Sequence, residues 1–215
     1  MGHATNTPPV VLRTMLRRMR SNSGIIWSKL DVNTWLKRPP TCSEARPASC
    51  SSCGAASRPE GGALVVHGHG VRTRQLRGPL VVGGPSVIIE IVVRRYQCQE
   101  CDAVMTVVPC EVLRGMLFAA PAIALALALY GLSNQSAREV RGVVSPWLEV
   151  GTPAGGWKTL LRFIARAASL WSCIRPVLPT ATTRMRAERA ATTLAGYGKG
   201  ESLVHAAFAG AVHAG

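Results

Sequence analysis

The chain has 215 residues, enough for one or two small domains, and carries a formal net charge of +14, with arginine far outnumbering lysine. A balance this basic points to a polyanionic partner, nucleic acid ahead of a membrane surface, although abundant arginine, alanine and glycine are also what GC-rich coding produces. Seven cysteines, an odd number, and no visible secretory signal argue against a disulfide framework and for reduced thiols with a cytosolic metal site.

Residues 1–41 read as a basic, poorly packed arm. Pro8-Pro9 leads into Val10–Arg20, where Val11, Leu12, Met15, Leu16 and Met19 have helical spacing and Arg13, Arg17 and Arg20 take another face. A transit peptide shares these features, since no acid precedes Asp31. Pro39-Pro40 and Pro47 then stiffen the entry to the next region.

Residues 42–112 read as a zinc-ribbon domain. Cys50-Ser-Ser-Cys53-Gly54 and Cys98-Gln-Glu-Cys101-Asp102 are two C-x-x-C knuckles, tight turns that each aim two thiolates at one point. Cys50, Cys53, Cys98 and Cys101 together make a tetrahedral set for one structural Zn²⁺. The gap between the knuckles is 44 residues, against about 15–20 in the usual pattern, so pairing them requires strands that carry the chain out and back. Such strands are expected at Ala63–His67, at Val71–Arg77 after a break at Gly68-His69-Gly70, and most clearly at Val87–Gln97, which feeds directly into Cys98. Four thiolates complete a tetrahedron, so His67 and His69 are turn residues rather than ligands. Arg72, Arg74, Arg77, Arg94 and Arg95 are candidate phosphate contacts, although exposed strand faces are commonly charged. Cys42, Cys110 and Cys173 are left over, buried or incidental.

Residues 113–175 read as helical. Met116–Tyr130 is rich in alanine and leucine, with Pro121 near its start. No charge occurs from Gly115 to Ala137, but Ser133-Asn134-Gln135-Ser136 interrupts the roughly 20 apolar residues a membrane span needs, so a buried helix is favoured. A second helix covers Ser136–Val144. The third, Trp157–Trp171, is strongly amphipathic, and Lys158, Arg162 and Arg166 form one cationic stripe opposite its apolar face. Three helices ending in a basic one follow the plan of a helix-turn-helix, whose last helix reads the major groove, although a solvated charged face has the same pattern and the loop at 145–156 is long for the motif. Residues 176–215 read as a loosely held tail, with room for a short helix around Arg184–Leu194.

Three stretches carry a family resemblance. Cys50-x-x-Cys53-Gly54, Val66-His67-Gly68-His69-Gly70-Val71-Arg72-x-Arg74 and Val93-Arg94-Arg95-Tyr96-x-Cys98-x-x-Cys101 resemble the amino-terminal zinc ribbon of bacterial transposase-related proteins. Ala122–Leu127, Gly131-Leu132-Ser133 and Val144-Ser145-Pro146-Trp147 look like the helical part of the same family, which pairs a zinc ribbon with a helix-turn-helix. The resemblance spans roughly residues 48–172. It implies DNA binding at mobile-element ends and Cys50, Cys53, Cys98 and Cys101 as the zinc ligands. It does not carry catalysis across, because two aspartates, Asp31 and Asp102, and scattered glutamates supply no carboxylate triad for two-metal phosphoryl transfer.

The expectation is therefore an α+β chain, a small antiparallel zinc-ribbon sheet followed by a three-helix, helix-turn-helix-like bundle, with flexible basic termini. Its expected function is zinc-dependent binding of double-stranded DNA, as a non-enzymatic recognition module or transposase remnant in the cytoplasm, associated with the nucleoid. A homodimer is allowed, and a small-molecule substrate or a membrane is not expected. The alternative is a zinc-ribbon adaptor that engages a protein or membrane through the apolar helix at 115–132.

Overall fold

The computed structural model describes residues 24–147 and 157–214. The amphipathic stretch Val10–Arg20 and most of the 145–156 loop lie outside the described residues. The described chain is α+β. In order it runs β1 (Gly24–Trp27), α1 (Val32–Lys37), β2 (Val66–Pro79), β3 (Ser86–Cys98), β4 (Val104–Val108), α2 (Ala120–Gly131), α3 (Ala137–Val144), α4 (Lys158–Leu170), α5 (Thr183–Ala195) and α6 (Leu203–Gly210). The strands form one sheet in the order β1-β4-β3-β2.

The chain divides into two compact units. In the described residues, unit 1 comprises 24–28, 39–73 and 92–108. In it β4 runs antiparallel to β3, with Tyr96 opposite Met105, and parallel to β1, with Ile25 opposite Thr106. The sheet is therefore mixed rather than antiparallel. Its fourth strand comes from the arm that was expected to pack poorly. β1 is four residues long with no polar alternation, so only its pairing to β4 makes it a strand. The Gly68-His69-Gly70 break is also absent. β2 continues through it, with Gly70 at φ +83° supplying a backbone turn open to few other residues.

The core of unit 1 gathers Val66, Val93, Tyr96, Met105, Val107 and Val108 with Cys50 and Cys98. Tyr96 is fully buried and its phenol donates to the Cys42 carbonyl at 2.8 Å. Burial, and then the neighbouring Cys42, push that phenol up to about 12.

Unit 2 comprises 29–38, 74–91 and the described residues from 109 onward. It is organised around α2. Ala120 to Ala124 and Ala126 to Ala128 are all buried, so this helix has no polar face to offer solvent. Its neighbours are α3, α4, α5 and α6. Among the described residues no helix is long and apolar enough to cross a membrane. Where a loose tail was expected, α5 and α6 are capped by the Thr182 and Ser202 hydroxyls and pack on α2 and on each other. Among the described residues the helical part thus has five helices after the sheet, with the first as its centre, rather than a three-helix bundle.

Small residues make this packing close. A Cβ at Gly131 would stand 2.3 Å from the backbone nitrogen of Glu188, and one at Gly210 would fall on the Leu194 carbonyl. Just ahead of α2, Phe118 meets Trp157 and Phe163 edge to face, and the three ring centroids lie 5.3–6.1 Å apart. The Trp171 indole donates to the Ala211 carbonyl at 2.8 Å, fastening the end of α4 to the end of α6.

Glu111 is the one buried carboxylate among the described residues. Both its oxygens accept the Val32 N–H at 3.0 Å, capping the start of α1 from a distant part of the chain. Burial raises its pKa, and the Val32 hydrogen bond only partly opposes that. A carboxyl with a raised folded pKa adds stability at low pH and loses it as pH rises through the folded value. In urea titrations, wild type should therefore lose stability relative to Glu111→Gln as pH rises above the ordinary carboxylate range. Parallel curves for the two proteins would rule this out.

Candidate metal centre

The two knuckles fold alike, and each closes on its own backbone. In the first, Gly54 N–H donates to Cys50 O at 2.9 Å and Cys50 N–H to Ala55 O at 2.8 Å. In the second, Asp102 N–H donates to Cys98 O at 2.9 Å and Cys98 N–H to Ala103 O at 3.0 Å. The residue after each second cysteine is left-handed, Gly54 at φ +77° and Asp102 at φ +58°. Glycine takes that conformation freely, and aspartate is among the few other residues that tolerate it. The C-x-x-C-(G/D) pattern therefore encodes the same turn twice. β3 delivers the second knuckle, and Gln99 N–H donates to Val65 O at 2.9 Å just before β2.

The 44-residue insert does bring the knuckles together. The sulfurs of Cys50, Cys53, Cys98 and Cys101 lie within 4.8 Å of one another. Two contacts cross between knuckles, Cys50 to Cys101 and Cys53 to Cys98, each at 3.7 Å. A metal with bonds of about 2.3 Å to sulfur at the centre of a tetrahedron sets its sulfurs about 3.8 Å apart. The four cysteines could therefore hold a metal ion with little rearrangement. Neither His67 nor His69 joins the group, and the His67 ring lies 2.7 Å from the Leu64 carbonyl.

The electrostatics make the same demand. Burial pushes the Cys98 and Cys101 thiols up, Cys101 to about 12, and the neighbouring sulfurs add to the push. Burial also opposes the Cys50 thiolate, but backbone donors at Cys53 and Ser52 outweigh it and bring Cys50 down to about 7. The Ser52 N–H lies 3.4 Å from the Cys50 sulfur. Four thiolates this close ionise together only around a cation. Cys50 and Cys98 are buried while Cys53 is exposed, so the site sits at the edge of its unit's core.

The arginines expected to meet phosphate have different fates. Arg74 donates to the carbonyls of Leu113 and Met116 at 2.8 and 3.0 Å. Arg94 donates to the Pro40 carbonyl, and Arg77 to the Gln75 side chain at 2.8 Å. The Arg74 and Arg94 guanidiniums thus hold loops to strands, while the Arg77 bond stays within β2. Arg72 is exposed and Arg95 half-exposed on the sheet. On α4, Lys158, Arg162 and Arg166 are all exposed, opposite buried Leu160, Phe163, Ile164 and Ala167. Arg166 reaches back to the 114–116 loop, with Nη1 3.0 Å from the Met116 sulfur. The stripe is thus two outward cations and one tied to the fold.

Sequence reasoning named no cation of the 175–189 segment as a contact. Arg175 and Arg189 are exposed, Arg186 is anchored to carbonyls, and Arg184 lies 4.3 Å from the Tyr130 ring centre while donating to the Tyr130 carbonyl. The i, i+3 spacing of Arg186 and Arg189 was the available clue. No family model matches this chain, and comparison with curated proteins and with solved structures returned no match.

Proposed function

We propose that this chain is a DNA-binding protein with a structural zinc centre, a recognition module related to transposases that does no chemistry of its own. Four thiolates leave no open coordination position, which is the pattern of structural rather than catalytic zinc. Zinc, when bound, supplies a cross-link between two knuckles distant in sequence and neutralises thiolates that would otherwise repel. Cys50, Cys53, Cys98 and Cys101 would hold it.

The observation that carries the DNA half is how the charge is divided. Among the described residues unit 1 has five arginines against four acids, before any thiolate is counted. Unit 2 has sixteen lysines and arginines against six acids. Among the described residues the cationic excess therefore belongs to the helical unit, and Lys158 and Arg162 present part of it on an exposed helix face. Sheet arginines contribute less than their number in the sequence implies, because Arg74 and Arg94 are engaged by carbonyls.

Fluorescence anisotropy of a labelled duplex of mixed sequence tests this reading. Affinity should fall linearly on a log–log plot of salt between about 50 and 200 mM. The Lys158→Ala/Arg162→Ala double variant should flatten that slope by about 1.8, roughly 0.9 for each phosphate no longer neutralised. No duplex binding by the zinc-loaded chain at about 50 mM salt would sink the proposal. The adaptor alternative is weakened because its contact helix, α2, is buried among four others and presents no free face to a partner.

A further inference from the structure

Between α4 and the segment that follows it lies a cleft of about 180 Å³. Ala165 and Ala168 of α4 form one wall, Ile174 and Pro176 part of the other, and Arg175 and Arg186 are its only charged lining residues. No acid lines it. Arg175 is exposed and free to reorient. Arg186 is different, because Nε donates to the Ala181 carbonyl at 3.1 Å and Nη2 to the Pro179 carbonyl at 2.9 Å. A guanidinium has five N–H donors, so these bonds leave three while holding the group in place. An anion entering the cleft would meet one cation already positioned and one able to close on it. The alanine wall lets a bulky anion approach the helix backbone without displacing side chains.

The cleft also continues the α4 stripe. Lys158, Arg162 and Ala165 follow one another at i, i+4 and i+7, which places them in a row along one face of the helix. At 1.5 Å per residue, the row from Lys158 to Ala168 spans about 15 Å. Two exposed cations thus lead along the helix into a cleft with two more. The arrangement suits a polymer of phosphates better than a single small anion, which the cleft alone would satisfy.

We propose that the Arg175–Arg186 cleft is a phosphate subsite that seats the backbone of the bound nucleic acid, at the end of the Lys158–Arg162 row. This assignment rests on the DNA-binding reading above and deepens it by moving the anchoring contact off the expected recognition helix. It also assigns the 176–215 region a part in binding, since Arg186 belongs to α5.

Two substitutions in the full zinc-loaded chain test it. Arg175→Ala removes an exposed side chain and should lower the log–log salt slope of duplex binding by about 0.9. Ala165→Asp, at an exposed helix position, puts a carboxylate into the wall of the cleft and should weaken binding at least about tenfold at low salt, by like-charge repulsion of phosphate. Melting curves superimposable on wild type would show that neither change acts through folding. Duplex binding by both variants with wild-type affinity and slope would overturn the subsite while leaving the DNA-binding reading in place. No duplex binding by wild type would overturn that reading and the subsite with it. A third arm uses inorganic phosphate as the probe. If it raises the melting temperature through Arg175 while the duplex slope is indifferent to Arg175→Ala, the cleft takes a free small anion and the backbone assignment fails.

Discussion

Replacing Cys98 and Cys101 together by serine is expected to abolish metal retention and unfold unit 1. The buried side chains of that unit are few, and two of its buried residues, Cys50 and Cys98, are members of the sulfur cluster itself. A unit this small gains little from hydrophobic burial alone, and domains of its size commonly depend on a metal or disulfides. Structural zinc in small domains contributes on the order of 10 kcal/mol of apparent binding free energy, which is also folding free energy. Wild type should carry one zinc per chain by elemental analysis, and the variant none. Hydrogen exchange should then show β4 and the 92–98 part of β3 losing protection, while α2 keeps most of its own. A strong chelator should reproduce this in wild type. Wild type that is folded without metal, with protection in β4 equal to that of the serine variant, would remove the centre from the account. Because each ligand must shed a proton to bind, zinc should also leave as pH falls.

The second large effect is expected at Gly131. An alanine there puts its Cβ 2.3 Å from the Glu188 nitrogen, 2.5 Å from the Glu188 Cα and 2.8 Å from the Ala187 carbonyl carbon. These are backbone atoms of α5, so no change of rotamer relieves the clash. Either α5 moves away from α2, exposing Ala187, Ala190, Ala191 and Leu194, or the end of α2 unwinds. Overpacking typically costs about 1–3 kcal/mol where side chains can adjust, and a backbone obstruction belongs at or above the top of that range. Urea denaturation of Gly131→Ala should show a loss of about 3 kcal/mol in unit 2, with zinc content unchanged. An unaltered midpoint would mean that α5 does not pack on α2 as described. Gly142, with nothing within 4 Å of its added Cβ, is the control position.

Both effects show which features could be read from residue order. Each knuckle is legible because the hydrogen bonds that close its turn lie within six consecutive residues and its left-handed position falls on Gly54 or Asp102. β3 is legible from the run Val87 to Val93, and α4 from the spacing of Trp157, Leu160, Leu161, Ile164, Ala168 and Trp171, although Leu161 and Ala168 are exposed and Phe163 and Ala167 take the buried face instead. α2 was recognised as a buried helix because alanine and leucine replace any polar face.

A short helix around Arg184–Leu194 was read and is α5, but that the tail packs into the core was missed for a physical reason. Ala187, Ala190, Ala191 and Leu194 have the spacing of a buried helical stripe, but alanine contributes so little hydrophobicity that composition outweighs period. What holds α5 and α6 is close approach at Gly131, Gly198 and Gly210, and a glycine's value as a gap depends on what lies opposite. β1 was missed because four residues become a strand only through hydrogen bonds to β4. The engagement of Arg74 and Arg94 was missed for a related reason. Sequence counts their charge, but whether a guanidinium faces solvent or caps a carbonyl 39 or 54 residues away, as at Arg74 and Arg94, depends on the folded path.

By itself, then, the sequence determined the two cysteine knuckles, the basic balance of the chain, the main strand and the amphipathic helix, because each is set by neighbours within a few turns or residues. The tertiary structure alone decided that the knuckles converge, that the sheet is mixed, that the tail is part of the helical core, and which cations remain available to a partner. Those outcomes depend on distances between groups far apart in the chain, and such distances are fixed only when burial and hydrogen bonding have chosen one path for the backbone.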